Sequence, residues 1–237
     1  MEKLFKFDES KLYCFSPPVM LFTFFIEIIF ALYILFTSKL KPITALMVGI
    51  LVFLSIFQLA EFQVCSNKSL LWMRIGYVAI TILPPLGIHL IGMVTKRKWL
   101  SYLSYSLAGI FIITFLFSTK SLIAATCGGN YVMVVTNGVV ASKYFPLYYY
   151  TLLFIGLTDI ANYIKSLPNT YKSNQPEPQF LLWVMLGYLS FLGPTAAVYL
   201  LSLEARRGIP SIMCGFAVLL AIIIALRAYP ISKKLKL

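Results

Sequence analysis

Five ionisable side chains lie inside long apolar stretches of this sequence: Glu27, Glu61, Arg74, His89 and Asp159. A titratable group in such surroundings is expensive to keep, which makes each one a functional candidate by default. Glu61 and Arg74 are separated by a short connection. At the facing ends of two adjacent helices they would neutralise each other. That pair reads as a clamp between helices or as the polar floor of a pocket open to the outside. Glu27 falls near the middle of its stretch and cannot reach water. It calls for a proton, a hydrogen-bonding neighbour or a wet cavity. Asp159 has Asn162 about one turn on, a pairing that would brace one half of its helix. His89 is the only histidine. It reads as a satisfied core residue or, with Asp159, as part of a proton or polar path. Arg227, near a helix end, is placed to extend to lipid headgroups.

Several chemistries lack their residues. The chain has no glycine-rich nucleotide motif, no Ser-His-acid set and no HExxH. It has no CxxC, so neither a thiol-redox motif nor a zinc site is indicated. The last apolar stretch has no lysine for a retinal Schiff base. No catalytic residue, metal or cofactor is expected.

The elements that carry these side chains follow from composition. The chain is 60% hydrophobic and 12% charged, with a mean hydropathy of +0.87. Soluble domains are about a quarter charged, so there is too little charge here to cover a water-facing surface. The net charge of +12 would suggest nucleic acid in a soluble protein. In a membrane protein it reflects loops held on one face of the bilayer, so membrane lipids rather than nucleic acid are the expected contact. Seven apolar stretches, at approximately 18–37, 43–63, 70–94, 100–119, 147–166, 180–203 and 210–229, each approach the roughly 20 residues that a spanning helix needs. Lipid leaves their backbones no choice but helix, and Pro18, Pro146, Pro178 and Pro210 mark helix starts.

The expected fold is therefore an all-α membrane protein, a seven-transmembrane helix bundle over 18–230. A tail at 1–17 precedes it and a basic cytoplasmic tail at 231–237 follows. The first stretch comes after 16 largely polar residues and lacks a small-residue cleavage site, unlike a signal peptide. The Lys96-Arg97-Lys98 cluster and Lys233, Lys234 and Lys236 abut helix ends, which favours the N-terminus outside and the C-terminus inside. Cys14, Cys65 and Cys127 then share the outer face. They are free thiols, or two of them form a disulfide whose partners the sequence does not choose. Residues 131–140 read as two short strands around Asn137-Gly138. This would be a small extracellular β-hairpin between helices four and five, lying over the mouth of the bundle. Pro84-Pro85 and Gly193-Pro194 should kink helices three and six. Trp72, Tyr77, Trp99, Tyr102 and Tyr144, with the run Tyr148, Tyr149 and Tyr150, fit interfacial aromatic belts. The tyrosine run alternatively lines an outer pocket.

Helices two and three carry a resemblance. The stretch Leu51–Glu61 is followed by a short loop, by Trp72, Arg74 and Tyr77, by Pro84-Pro85, and by the basic Lys96-Arg97-Lys98. This succession resembles the N-terminal seven-transmembrane sensor region of bacterial histidine kinases. The likeness continues through Val134–Gly138 and Phe145–Tyr148. It implies a multi-pass sensor of a bacterial or archaeal cytoplasmic membrane, in which Glu61, Arg74, Pro84 and Pro85 are structural and the chemistry lies in a separate output. No kinase sequence follows helix seven, and His89 stands where an aliphatic or aromatic residue is expected. Signalling is thus expected to need a partner protein, and a homo-oligomer is compatible with the pattern.

The leading expectation is a sensor or receptor-like module without enzymatic activity. It would bind a small or amphiphilic ligand from the outer side near Glu27, Glu61, Arg74, Tyr77, Tyr148 and Tyr149. The alternatives are a small-solute or lipid transporter or channel using Glu27, His89 and Asp159, and an intramembrane lipid-modifying enzyme using His89.

Overall fold

A computed structural model of the chain describes residues 17–38, 41–67, 69–118, 122–127, 132–135, 140–168, 175–201 and 208–235. Seven long helices dominate: α1 Pro17–Thr37, α2 Pro42–Asn67, α3 Leu70–Thr95, α4 Lys98–Phe117, α5 Phe145–Ser166, α6 Pro176–Leu201 and α7, which starts at Ile209 and runs to Ser232 through a π-helical turn at Ile224–Ala228. Proline stands at the first or second position of α1, α2, α5, α6 and α7, where its missing amide is harmless and its fixed φ suits a helix start.

Six of these helices are long and apolar enough to cross a membrane; α5 is not among them. Its tyrosines, Pro146, Asp159, Asn162 and Lys165 dilute its hydropathy. The chain thus has the architecture of a multi-pass integral membrane protein. The expected β-hairpin around Asn137-Gly138 is replaced by a different pairing. Val132–Val135 (β2) runs antiparallel to Ala124–Cys127 (β1). Val140, expected in a strand, begins a π-helical turn, Val140–Tyr144, that leads into α5. Tyr131, residues 136–139, the N-terminal segment with Cys14, and Lys236 lie outside the described residues. The expected basic tail starts later than 231, because helix continues to Ser232.

α3 is the most enclosed helix, packed by α2, α4 and α5, while α6 and α7 pair with each other and α7 also meets α1 and α2. α1 and α4 are the least buried and show Phe22, Phe36, Ile110 and Phe117 to the surroundings. That is an unfavourable display in water and a natural one in lipid. The turn between α3 and α4 is only two residues long and turns on Lys96 at φ 62°. This left-handed position at a helix end is usually given to glycine.

α5 runs parallel to α3. Phe145 packs on Tyr77, the Tyr148 hydroxyl reaches the Thr81 carbonyl, Gly156 faces Ile88 and Ile91, and Asp159 meets Thr95. The two helices share a length from Tyr77 to Thr95, about 27 Å at 1.5 Å per residue.

Candidate functional site

The prolines of α3 set the first feature. A proline at position 85 gives no amide to the carbonyl four residues back, which is that of Thr81. The Tyr148 hydroxyl, from α5, donates to that carbonyl at 2.8 Å. A side chain on the neighbouring helix thus fills the vacancy, which is how proline is tolerated inside a bundle. Two residues on, Gly87 lies against Tyr188 of α6. A Cβ added there would come to 1.7 Å from the Tyr188 hydroxyl. Tyr148 and Tyr188 therefore both hold the middle of α3, one through its hydroxyl and one through close contact.

Glu61 and Arg74 do not form the expected pair. Arg74 turns to the end of α4, where its guanidinium donates to the carbonyls of Leu116, at 2.5 Å, and Ser118, at 3.5 Å. Those carbonyls lack intrahelical partners and form the negative end of the helix dipole, which attracts a cation. Glu61, 7% exposed, instead shares a hydrogen bond with the Ser211 hydroxyl at the start of α7. Among the described residues no Lys or Arg nitrogen lies at salt-bridge distance from it.

Beside Glu61 lies a cavity of about 20 Å³, lined by Phe57, Trp72, Met73, Tyr77 and Ser211 among others. Trp72 and Pro210 are its half-buried members. It sits at the end of the bundle where α2 finishes and α3 and α7 begin. The same end holds the Cys65–Cys127 disulfide, which fastens β1 to α2. The sequence left the pairing open among three cysteines.

One turn along α2 from Glu61, the Gln58 amide donates to the Cys214 carbonyl at 2.9 Å. Cys214 is a buried free thiol. It also lines a second cavity of about 20 Å³, with Tyr149, Tyr188 and Leu54. Glu27 lies within electrostatic reach of the same thiol. It is fully buried, and neither of its carboxyl oxygens has a hydrogen-bond partner among the described residues.

The remaining candidates are dispersed. Asp159 takes no partner in Asn162, which is exposed. Its carboxylate accepts from the Thr95 hydroxyl at 2.8 Å and pairs with Arg97 at 3.0 Å, tying α5 to the α3–α4 turn. His89 faces α4, its Nδ1 3.3 Å from the Tyr105 hydroxyl. Arg227 stacks over Trp183 at 5.2 Å. Glu27, His89 and Asp159 therefore have no hydrogen-bonding or ion-pair partner in common among the described residues.

Of the expected ligand-binding residues, Glu61 and Tyr77 share a cavity. Tyr148 is occupied at Thr81, Tyr149 lies in the second cavity, Arg74 caps α4, and Glu27 lines neither space. Ser211, Gln58, Phe57 and Met73 did not stand out in the sequence. A reading confined to ionisable residues passes over the amide and hydroxyl that sit beside Glu61. Comparison of the sequence with protein-family models and with curated proteins finds no match.

Proposed function

We propose that this chain is a seven-span membrane sensor module that receives a ligand at its Cys65–Cys127 end and passes a shape change along α3 to its basic end. The observation that carries this reading is the position of Tyr77. It lines the Glu61 cavity, and one turn further along the same helix Thr81 is held by Tyr148 where the proline break begins. A ligand that moves Tyr77 acts one turn from the carbonyl that Pro85 leaves without its intrahelical donor. The far end of that helix leads into the Lys96-Arg97-Lys98 turn, where Arg97 is latched to Asp159 of α5.

The seventh span is α5. In support, α5 accompanies the spanning helix α3 from Tyr77 to Thr95, and a helix that shares such a length shares its depth. The disulfide supports the orientation, because such bonds persist in oxidising compartments. Cys65 and Cys127 then face outward, Pro17 starts on the same side, and the basic turn faces the cytoplasm. The reader of the signal is a separate protein at that inner face.

The test uses the full chain in lipid nanodiscs with spin labels at Lys98 and Ser166. A library of small polar and amphiphilic compounds is screened by thermal shift, and hits are scored for a change in label separation. The reading requires a stabilising compound that changes the separation and loses its effect in Glu61→Gln. A screen in which no compound does this, combined with capture from native membranes that recovers no partner, sinks it.

A further inference from the structure

The Glu61 carboxyl is buried, hydrogen-bonded by one hydroxyl and without a cation among the described residues. Arg74, the expected partner, is occupied at the end of α4. Burying an ionised carboxyl without a counter-charge carries a penalty of several kcal/mol, so Glu61 is satisfied by a proton or by a positive charge that no described residue supplies. The rest of the lining carries no charge and includes three aromatic rings, Phe57, Trp72 and Tyr77. A carboxylate that shares a cavity with aromatic rings suits an organic cation, because ring faces carry negative potential.

We propose that this cavity takes the primary ammonium group of an amine. This rests on the sensor reading in treating the cavity as the outer ligand site. Size selects within the class. A space of about 20 Å³ admits one group of roughly the size of a water molecule, so an –NH3+ head fits and a trimethylammonium head does not. Its N–H groups donate to the Glu61 oxygens, and its remaining face lies against the rings. The carbon tail leaves past half-buried Trp72 and Pro210. The amine is a soluble compound or a lipid headgroup; the chemistry at Glu61 is the same.

The experiment uses the full chain with Trp99→Phe and Trp183→Phe, which leaves Trp72 as the single tryptophan reporter, in phosphatidylcholine nanodiscs. Ethylammonium, tetramethylammonium and ethanol are titrated against its fluorescence. The expected result is a saturable response to ethylammonium, at least tenfold weaker affinity for tetramethylammonium, and no response to ethanol. Glu61→Gln should weaken ethylammonium at least tenfold, Glu61→Asp should retain binding, and His89→Ala, remote from the cavity, should change nothing. If Glu61→Gln does not fold, the discrimination between the two cations and the behaviour of Glu61→Asp decide the matter. Equal responses to all three probes, or undiminished binding in Glu61→Gln, overturn the proposal; a proton then satisfies Glu61. Nanodiscs containing phosphatidylethanolamine separate the sources. A signal already present there and competed by ethylammonium assigns a headgroup, and an unchanged titration assigns a soluble amine. Ammonium binding without movement at the Lys98 and Ser166 labels, where no other compound moves them and no partner is captured, would sink the sensor reading and leave this site standing. Movement driven only by neutral ligands would do the reverse.

Discussion

The Tyr148 hydroxyl on α5 donates to the Thr81 carbonyl on α3 at 2.8 Å, at the point where Pro85 withholds its amide. Two helices are joined there by a bond that exists because a third group is missing. Removing the hydroxyl in Tyr148→Phe leaves a buried carbonyl unpaired, at a cost of about 1–3 kcal/mol. Pro85→Ala returns an intrahelical donor to Thr81. The cost of Tyr148→Phe should therefore largely vanish in the Pro85→Ala background. Thermal melts of the four proteins in one detergent measure this coupling; equal costs in both backgrounds would remove the explanation.

Gly87 and Tyr188 form a second contact on the same stretch. Gly87→Ala forces a methyl toward a hydroxyl 1.7 Å away, and overpacking of this kind costs about 1–3 kcal/mol. Tyr188→Phe removes the offending atom and should recover most of that loss. Failure of the double variant to recover stability would mean that α3 resists the methyl for another reason.

The inner latch is asymmetric. Arg97 is 53% exposed and Asp159 only 5%. Exposed ion pairs contribute about 0–1 kcal/mol, so Asp159→Asn, which keeps an acceptor for Thr95, should lower stability by less than about 1 kcal/mol. Arg97→Met strands a buried carboxylate and should cost more. Parallel denaturation of the two variants gives the order, and a larger loss in Asp159→Asn would contradict it.

Arg74 and Glu61 should behave as independent residues. Arg74→Met uncovers the last carbonyls of α4 and should cost about 1–3 kcal/mol. Because Arg74 does not pair with Glu61, the double variant with Glu61→Gln should be additive within about 0.5 kcal/mol. A coupling well above that would restore the ion pair.

The disulfide gives a test of topology. Without reductant, Cys65 and Cys127 should not react with maleimide, and after reduction exposed Cys127 should react. Buried Cys214 should stay unreactive until the chain unfolds. In intact cells a membrane-impermeant maleimide, added after reduction, should label Cys127. Labelling only in permeabilised cells would reverse the proposed orientation.

The sequence by itself determined the class of molecule. Seven apolar stretches predict the seven helices to within a few residues at most ends, because lipid permits a run of that length few structures other than helix. The prolines at 84 and 85 likewise announce a carbonyl in need of a donor, since the missing amide is a property of the residue itself. The partners were settled in three dimensions. The sequence offers Arg74 to Glu61, and the packing of α4 against α3 gives it the carbonyls of Leu116 and Ser118 instead. Asp159 prefers Arg97 to the nearer Asn162, because the α3–α4 turn brings a guanidinium to its carboxylate while Asn162 points away. Cys127 finds Cys65 rather than Cys14 because β1 lies against α2 and α3. Hydropathy is a local sum that survives in the sequence. Pairing depends on which helix faces are brought within a few ångströms, and that is a property of the packed bundle.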